Sequence, residues 1–345
     1  MNDHPTPAGM LDLLIQPGFC VKENRITSLN AAARGLLFAP GQDIRDLLET
    51  GLEEYRDYTG GCLYLQLRHM GNAFGASVCR MGDTDVFVLE PGSGNQALQT
   101  LALASMELRQ PLHGIMIAAD KLQTSDDASA QQLARLNRSV YQLHRILNNM
   151  ADAGGCTPRM EIRNLREVFS EIFEKAAVLV ESTGKQLAYT GPREDIFGLA
   201  DRELLQRAVL NLLSNALKFT PEGGVVEAVL RQKGQQLQLC IRDNGSGIPE
   251  ELLGNVFTRY LRSPGIEDSR HGLGLGMVLI RSAAAAHGGA VLIDRPESSG
   301  TRITMTMAVR QGNGSSVRTP IDLPGGQDAG LLELSDCLPV SLYEK

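Results

Sequence analysis

Three polar side chains in the stretch NLLSNALKFTP, residues 211–221, have the types and spacing of a metal and phosphate site. Asn211, Asn215 and Lys218 are four and three residues apart, so they share one face of a helix. Amide oxygens can bind Mg²⁺ together with phosphate oxygens and water. A lysine ammonium on the same face adds a point charge for phosphate. The stretch therefore predicts a helix that binds a metal–phosphate group.

Glycine-rich motifs follow this helix along the chain. In DNGSGIP, Asp243 is followed by Gly245 and Gly247. A carboxylate there can accept a hydrogen bond from an amino group while the glycine backbone approaches a flat ring. In HGLGLGM, residues 271–277, glycines lead into a helix, and a helix N-terminus favours phosphate. Each motif alone is common, but their order along the chain predicts a nucleotide site.

Two further stretches complete the set. FTRYLR, residues 257–262, carries aromatic and basic groups, and Gly300 and Thr301 precede the last strand. The chain from Asn211 to Thr301 resembles the ATP-binding catalytic domain of sensor histidine kinases. Their superfamily also includes gyrase, the ninety-kilodalton chaperones and the mismatch-repair ATPases. The resemblance implies an α/β sandwich of the GHKL type, with ATP and Mg²⁺ held between the sheet and a mobile lid.

The same resemblance implies a role for individual residues. Asn215 would be the main Mg²⁺ ligand with Asn211 beside it, and Asp243 would accept a hydrogen bond from the adenine amino group. The residues expected to contact the nucleotide come from the four family motifs and the last glycine turn: Asn211, Asn215, Lys218, Asp243, Gly245, Gly247, Arg259, Tyr260, Gly272, Leu273, Gly274, Gly276 and Thr301.

A helix earlier in the chain carries the stretch SMELRQPL, residues 105–112. It resembles the phosphotransfer helix of the same family, whose motif reads Ser-His-Glu-Leu-Arg-Thr-Pro-Leu. Met106 stands where the family has its phosphorylated histidine, and Gln110 stands where threonine or asparagine is usual. Glu107 matches the family's base beside the acceptor. The resemblance therefore implies a phosphotransfer helix that lacks its acceptor.

The chemistry of methionine makes the change at Met106 important. An imidazole nitrogen can attack phosphorus and hold the phosphoryl group. A thioether has no proton to lose and forms no stable phosphoryl adduct. At ~100° per residue, Met106 points away from the apolar stripe of its helix, so we expect it to be exposed.

Two nearby residues offer other chemistry. His113 lies seven residues after Met106, ~10 Å further along the helix axis, and is an alternative acceptor. Glu107 would then lie two turns from the acceptor, which is poor geometry for a base. In related kinases the residue at the position of Gln110 orients a water that removes phosphate from a response regulator. A glutamine amide can also orient water, and that reaction needs no phosphorylated histidine.

The spacing of apolar residues predicts two helices around this motif. They recur at steps of three, four and seven from Leu101 to Leu122, and at alternating steps of three and four from Leu133 to Met150. The QTSDDAS break between them predicts an antiparallel helical hairpin over 96–153. One hairpin buries little apolar surface, so we expect a homodimer with a four-helix bundle, although an ordinary coiled linker has the same spacing.

Two mixed units and a tail surround the hairpin. Residues 10–92 alternate short strands and helices with GN and GD turns, and their NAAARGLL helix and three late strands resemble a PAS sensor domain. Residues 159–310 alternate helix and strand and contain the nucleotide motifs. The segment 311–345 begins as a flexible linker by composition and ends in GLLELSDCLPVSLYEK, which is apolar enough to dock. The expected fold class is α+β multidomain.

The composition excludes several classes of protein. The chain has 345 residues, 43% of them apolar, and a net charge of −7, so it has no basic footprint for nucleic acid. No apolar run reaches the ~18 residues of a membrane span, and the N-terminus lacks the layout of a signal peptide. The 6 cysteines form no CxxC pair, which is typical of reduced structural thiols. We therefore expect a cytoplasmic protein without a membrane span or a nucleic-acid partner.

Three functional hypotheses follow. The first is a cytoplasmic sensor histidine kinase homologue of a two-component system, with autophosphorylation lost or altered and a response regulator receiver domain as its partner. The second is a signalling pseudokinase that binds ATP and acts as a scaffold or a response-regulator phosphatase. The third is a serine/threonine kinase of the anti-sigma type, which shares the ATP-binding fold; the preceding hairpin with ELRQPL argues against it.

Overall fold

The computed structural model describes residues 14–91, 96–120, 127–153, 157–248, 275–296, 299–310 and 328–344, together with residues 9, 11 and 122. Within these residues, ten strands form one sheet and two more form a small second sheet. Helices cover the large sheet or extend from it.

Five strands and two short helices form the N-terminal unit: β1 (Gly18–Lys22), β2 (Arg25–Leu29), α1 (Ala31–Gly35), α2 (Leu52–Arg56), β3 (Cys62–His69), β4 (Asn72–Met81) and β5 (Thr84–Pro91). The strand order is β2-β1-β5-β4-β3, with every pair antiparallel. Asn30 begins α1 because its side-chain oxygen accepts a hydrogen bond from the Ala33 amide at 3.0 Å. Glycines with positive φ, Gly71 and Gly82, make the tight turns on either side of β4.

Two long helices follow, α3 (Gln96–Asp120) and α4 (Asp127–Ala153), and they pack along each other. Leu112 of α3 is buried against Val140 and Leu147 of α4. Other members of the two predicted apolar stripes are exposed and recur every seven residues. They are Leu108 (52%) and Ile115 (48%) on α3, Leu122 (59%) two residues after its end, and Leu136 (42%) and Leu143 (50%) on α4. One hairpin therefore covers only part of its apolar surface.

The C-terminal unit mixes helices and strands: β6 (Glu161–Asn164), α5 (Leu165–Glu181), β7 (Gln186–Thr190), β8 (Phe197–Ala200), α6 (Arg202–Phe219), β9 (Val225–Lys233), β10 (Gln236–Asp243), α7 (Leu275–Ala286), β11 (Val291–Asp294) and β12 (Arg302–Ala308). The order β11-β12-β10-β9-β7 is antiparallel except for the parallel pair of β7 with β9. Helices α5, α6 and α7 share the largest hydrophobic core with these strands. The result is a layer of helices on a sheet, an α/β sandwich.

The two units share one sheet because β3 pairs antiparallel with β11 over residues 62–64 and 291–293. Side chains alternate across β3, so Cys62 and Tyr64 enter the C-terminal core while Leu63 and Leu65 enter the N-terminal core. The sequence patterns did not predict this pairing, nor strands β6, β7 and β8. The structure thus fuses two predicted units at a sheet edge.

The end of the chain packs against both the hairpin and the C-terminal unit. It contains α8 (Ala329–Glu333) and a 3-10 turn at Val340–Tyr343, which contact α4, α5 and α6. Its apolar side chains Leu332, Leu334, Leu338 and Tyr343 are buried, in line with the docking expected from composition. Across the part of the chain that the structure describes, no helix combines the length and apolar character that crossing a membrane requires.

Candidate nucleotide-binding site

Helix α6 places the predicted metal and phosphate residues on one stripe. Asn211 is 1% exposed, and its Nδ2 donates to the carbonyl oxygen of Arg207 at 2.9 Å and to Glu333 Oε2 at 2.9 Å. Asn215 Nδ2 lies 3.6 Å from Met277 Sδ on α7. Both amides therefore direct their nitrogens to protein acceptors, which leaves each Oδ1 as the atom available to a metal.

Asp243 ends β10 and organises the loop that follows. Its Oδ1 accepts hydrogen bonds from the backbone amides of Gly245 at 2.9 Å and Thr301 at 3.2 Å. The Asp243 amide donates to the Thr301 carbonyl at 3.0 Å. Burial raises the pKa of the Asp243 carboxyl, against the lowering effect of these hydrogen bonds. The carboxylate is thus held in a fixed orientation and largely shielded from solvent, which suits recognition of a polar group on a ligand.

Glycine is required at two points of this loop. A Cβ on Gly245 would lie 2.3 Å from the carbonyl oxygen of Phe219 at the end of α6. Gly300 has φ +87°, and a Cβ there would lie 1.9 Å from the carbonyl oxygen of Asp243. Backbone approaches backbone too closely for any side chain. The predicted glycine motif and the predicted glycine turn before β12 therefore form one tight cradle beside the end of α6.

Helix α7 begins next to the same stripe. A Cβ on Gly276 would lie 3.0 Å from Asn211 Oδ1, so the glycine lets the first turn of α7 come close to α6. The structure thus brings Asn211, Asn215 and Gly276 together, and Asp243, Gly245 and Thr301 together. The predicted residues Arg259, Tyr260, Gly272, Leu273 and Gly274 lie outside the described residues.

The residues present fit a magnesium nucleotide. The cradle around Asp243 presents a carboxylate and bare glycine backbone, as a flat base with an amino group requires. In the described part of the chain, no cluster of three or more His, Cys, Asp or Glu side chains could hold a metal. Amide oxygens such as those of Asn211 and Asn215 are a donor type that Mg²⁺ accepts together with phosphate oxygens and water. Lys218 adds a positive charge two turns along the same helix.

The predicted phosphotransfer residues are on the surface of α3. Met106 is 60% exposed, as its helical angle predicts, and Glu107, Gln110 and His113 are exposed as well. The neighbouring Ser105 is fully buried. Pro111 lies inside α3 without ending the helix. Met106, Glu107, Gln110 and His113 therefore form a solvent-exposed surface on α3, with a thioether at the acceptor position.

Sequence reasoning missed a buried ionic cluster at the stripe. The three cations Arg145, Arg207 and Lys218 meet the three carboxylates of Asp152, Glu333 and Asp336, across α4, α6 and the tail. The available signal was weak: Arg207 precedes Asn211 by four residues on one helix face, and the apolar tail contains acids, Glu333 and Asp336 among them. Their partners are too distant along the chain for a local pattern to reveal.

Comparison with known proteins agrees with the nucleotide site. The family model described as Histidine kinase-, DNA gyrase B-, and HSP90-like ATPase matches residues 200–311. That interval contains α6, the Asp243 loop, α7 and the Thr301 turn. The matched interval therefore covers the whole set of nucleotide motifs that the sequence predicted.

Curated relatives extend the likeness beyond that interval. Histidine protein kinase DivJ of Caulobacter vibrioides is 32% identical over 219 residues, which cover 61% of this chain and 37% of DivJ. Adaptive-response sensory kinase SasA of Crocosphaera subtropica is 30% identical over 227 residues, covering 61% of this chain and 59% of SasA. The chain thus spans roughly a third to three fifths of these relatives' length.

A solved structure has a similar fold. Full-length ShkA in complex with AMPPNP matches with a TM-score of 0.50 and 21% sequence identity, over 62% of this chain and 47% of ShkA. At that identity the similarity concerns the fold alone. It is consistent with the layer of helices on a sheet described above.

Proposed function

We propose that this chain, which resembles curated histidine kinases, belongs to the histidine kinase family, binds Mg²⁺–ATP and acts in two-component signalling without the usual autophosphorylation. The observation that carries the proposal is the thioether of Met106, 60% exposed at the acceptor position of α3, in a chain that also has the glycine cradle around Asp243. A thioether cannot act as the phosphoryl acceptor that an imidazole provides.

Each side chain of the site has a proposed task. Asp243 accepts a hydrogen bond from the adenine amino group, and the glycine backbone beside it lets the ring approach. Asn215 and Asn211 offer amide oxygens to Mg²⁺, and Lys218 offers its ammonium to phosphate. Bound Mg²⁺–ATP would supply a γ-phosphoryl group, and the protein residues only bind and orient it.

The remaining units have proposed roles consistent with this reading. We assign residues 10–92 to a PAS-like sensor, 96–153 to a dimerisation and phosphotransfer-like hairpin, 159–310 to the ATP-binding domain, and 311–345 to a linker and tail. The exposed heptad positions of α3 and α4 support a homodimer through the hairpin. A response regulator receiver domain is the proposed partner, and the exposed surface around Met106 is where it would dock.

A second candidate function is removal of phosphate from a response regulator. Gln110 supports it because its amide lies on the same exposed face of α3 as Met106, four residues away. An amide there can orient a water for attack on an acyl phosphate, and no phosphorylated histidine is involved. The protein would then be a pseudokinase whose conformation depends on bound ATP and which dephosphorylates a response regulator.

One experiment separates these functions. Purified protein is incubated with Mg²⁺ and γ-labelled ATP, its ATP affinity is measured in parallel, and any label is tested for acid lability. We expect ATP binding without an acid-labile label in the parent, and an acid-labile label in Met106→His. Met106→Leu is the matched control and should remain unlabelled. Asp243→Asn should weaken ATP binding by about tenfold or more, since it replaces a charged acceptor by a neutral amide and sets an NH₂ donor beside the adenine amino group.

Other outcomes would change the assignment. An acid-labile label on the parent that His113→Ala abolishes would make the protein a kinase with a displaced acceptor. An acid-stable label would indicate a serine/threonine kinase. Absence of ATP binding at millimolar concentration in folded parent protein would overturn the proposed nucleotide site itself.

A further inference from the structure

We propose that the tail, residues 328–344, is an internal competitor of the nucleotide: its carboxylates bind the α6 stripe where Mg²⁺ and phosphate would bind. The inference rests on the proposed function of that stripe. The tail thereby holds the ATP-binding unit in a nucleotide-free form and fastens it to α4. Removing the tail's two inward carboxylates should open the site.

Glu333 is the first of these carboxylates. Its side chain is completely buried, although glutamate is almost never buried without partners. Oε2 accepts a hydrogen bond from Asn211 Nδ2 at 2.9 Å, and Oε1 accepts one from Arg207 Nε at 3.0 Å. Arg145 Nε lies 3.8 Å from Oε2. Glu333 therefore binds the amide nitrogen of Asn211 and places a buried carboxylate on the α6 stripe.

Asp336 is the second carboxylate, one helical turn further along. Its Oδ2 lies 2.7 Å from Lys218 Nζ and 2.7 Å from Arg145 Nη1. Burial alone would raise the pKa of Asp336, but Arg145 and Lys218 outweigh it and lower the pKa. The carboxylate is thus ionised and directed at the lysine that the nucleotide phosphates would use.

The remainder of the tail anchors these two acids. Arg138 of α4 donates to the carbonyl oxygens of Ser335 at 3.0 Å and Asp336 at 3.2 Å. Asn137 donates to the Tyr343 carbonyl at 3.1 Å, and the Tyr343 ring meets Tyr141 of α4 edge-on at 5.2 Å between centroids. The tail therefore packs between α4 and α6 through specific hydrogen bonds and an aromatic contact.

Competition follows from the chemistry of the shared atoms. The Lys218 ammonium cannot bind the Asp336 carboxylate and a nucleotide phosphate in the same arrangement, because both anions need the same donor. The tail also keeps Asn211 buried, at 1% exposure, so Mg²⁺ cannot reach its amide oxygen while Glu333 is in place. A tail held on the same chain acts at a high effective concentration. The apparent nucleotide affinity is then reduced in proportion to the fraction of molecules in which the tail has left the α6 stripe.

The first test removes the two carboxylates in the full chain. Mg²⁺–ATP binding is measured by calorimetry for the parent, for the double variant Glu333→Gln with Asp336→Asn, and for Glu344→Gln. Glu344 is an exposed acid of the same tail, so it is the matched control. We expect the double variant to bind at least about tenfold more tightly than the parent and the control to match the parent.

The second test does not depend on losing buried charge. Ser214 Oγ on α6 lies 3.8 Å from Cys337 Sγ in the tail, so Ser214→Cys can form a disulfide that locks the tail in place. With diamide as the oxidant, the locked protein should bind Mg²⁺–ATP at least about tenfold more weakly than after reduction by dithiothreitol. Ser214→Ala, oxidised in the same way, controls for the other cysteines and should be unaffected.

The outcomes separate this inference from the proposed function. Equal nucleotide affinity for the parent, the double variant and the locked protein would overturn the competition and leave the nucleotide site standing. Failure of every variant to bind at millimolar Mg²⁺–ATP would overturn the nucleotide site, and the inference with it. A locked protein that binds as tightly as the reduced one is sufficient by itself to reject the tail as competitor.

Discussion

A buried histidine fixes the start of α6, the helix that carries the candidate metal ligands. His287 is 2% exposed; its Nδ1 lies 2.7 Å from the Ala283 carbonyl oxygen, and its Nε2 accepts a hydrogen bond from the Asp201 amide at 3.1 Å. Asp201 is the N-cap of α6, since its Oδ1 accepts from the Leu204 amide at 3.0 Å. The ring must therefore be neutral to accept at Nε2 while donating from Nδ1.

Acid should destabilise the protein through His287. Burial lowers its pKa, more than the Ala283 carbonyl and Asp201 raise it. The unfolded chain then binds a proton on this histidine near pH 6.5, whereas the folded chain binds it only at lower pH. The free energy of unfolding therefore falls as the pH drops below about 6.5, by up to about 1.4 kcal/mol per pH unit. In His287→Gln the loss of unfolding free energy between pH 7.5 and 5.5, measured with urea, should be smaller than in the parent.

An exposed histidine provides the control for this effect. His113→Gln replaces an exposed imidazole on the surface of α3 and is the matched control, for which we expect the parent's pH dependence of stability. An unchanged pH dependence in His287→Gln would mean that the ring does not hold the start of α6 in its neutral form.

Sequence reasoning located single residues where chemistry and spacing are local. The spacing of Asn211 and Asn215 and the glycines around Asp243 placed them in one region, and the structure brings each group together. Reasoning of this kind cannot find a partner such as Glu333, which is 122 residues from Asn211. Long-range ion pairs depend on the fold as a whole and have no local periodicity.

At the scale of elements, the hairpin leaves an apolar seam exposed, defined as Leu108, Ile115, Leu122, Leu136 and Leu143. Heptad spacing on two adjacent helices is the pattern of a coiled-coil interface. Single exposed apolar residues are ordinary, but a row of them on one face marks an interaction surface. The seam is therefore the part of the hairpin that a second copy would cover.

A charge placed in the seam should prevent self-association. Ile115→Glu with Leu143→Glu would bury four carboxylates in the dimer interface, two from each copy, and burying unpaired charges is strongly unfavourable. We expect sedimentation to give a dimer for the parent and a monomer for the double variant. Val178→Glu, a 71% exposed valine on α5, is the matched control and should remain dimeric. A dimeric double variant would place the dimer interface elsewhere.

Periodicity predicted many elements and missed others for a physical reason. The helices that alternate with strands in residues 159–310 are α5, α6 and α7, and their long amphipathic stripes are strong signals. Strands β7 and β8 are 5 and 4 residues long, too short to give a reliable alternation. The β3–β11 pairing depends on the exposed edges of two sheets meeting, which neither strand's sequence encodes alone.

At the scale of the whole molecule, the sheet and one buried ion pair join the N-terminal and C-terminal units. Arg281 of α7 is 2% exposed; its Nη1 donates to Glu90 Oε1 of β5 at 3.0 Å, and its guanidinium lies 4.8 Å from the centroid of the Tyr64 ring. Glu90 lies six residues before α3, and Arg281 lies in α7, the helix that also carries Gly276. A change in either unit can therefore reach the other through this pair.

Removing one partner of that pair should separate the stabilities of the two units. Glu90→Gln leaves the Arg281 charge buried and poorly compensated, at a cost of about 3–5 kcal/mol. Hydrogen exchange followed by mass spectrometry should show similar protection of β1–β5 and β9–β12 in the parent, and in Glu90→Gln a larger loss of protection in one half than in the other. Glu49→Gln removes a solvent-exposed partner of Arg68 in the same unit and should cost about 1 kcal/mol or less. Equal losses in the two variants would show that the Arg281–Glu90 pair does not couple the N-terminal and C-terminal units.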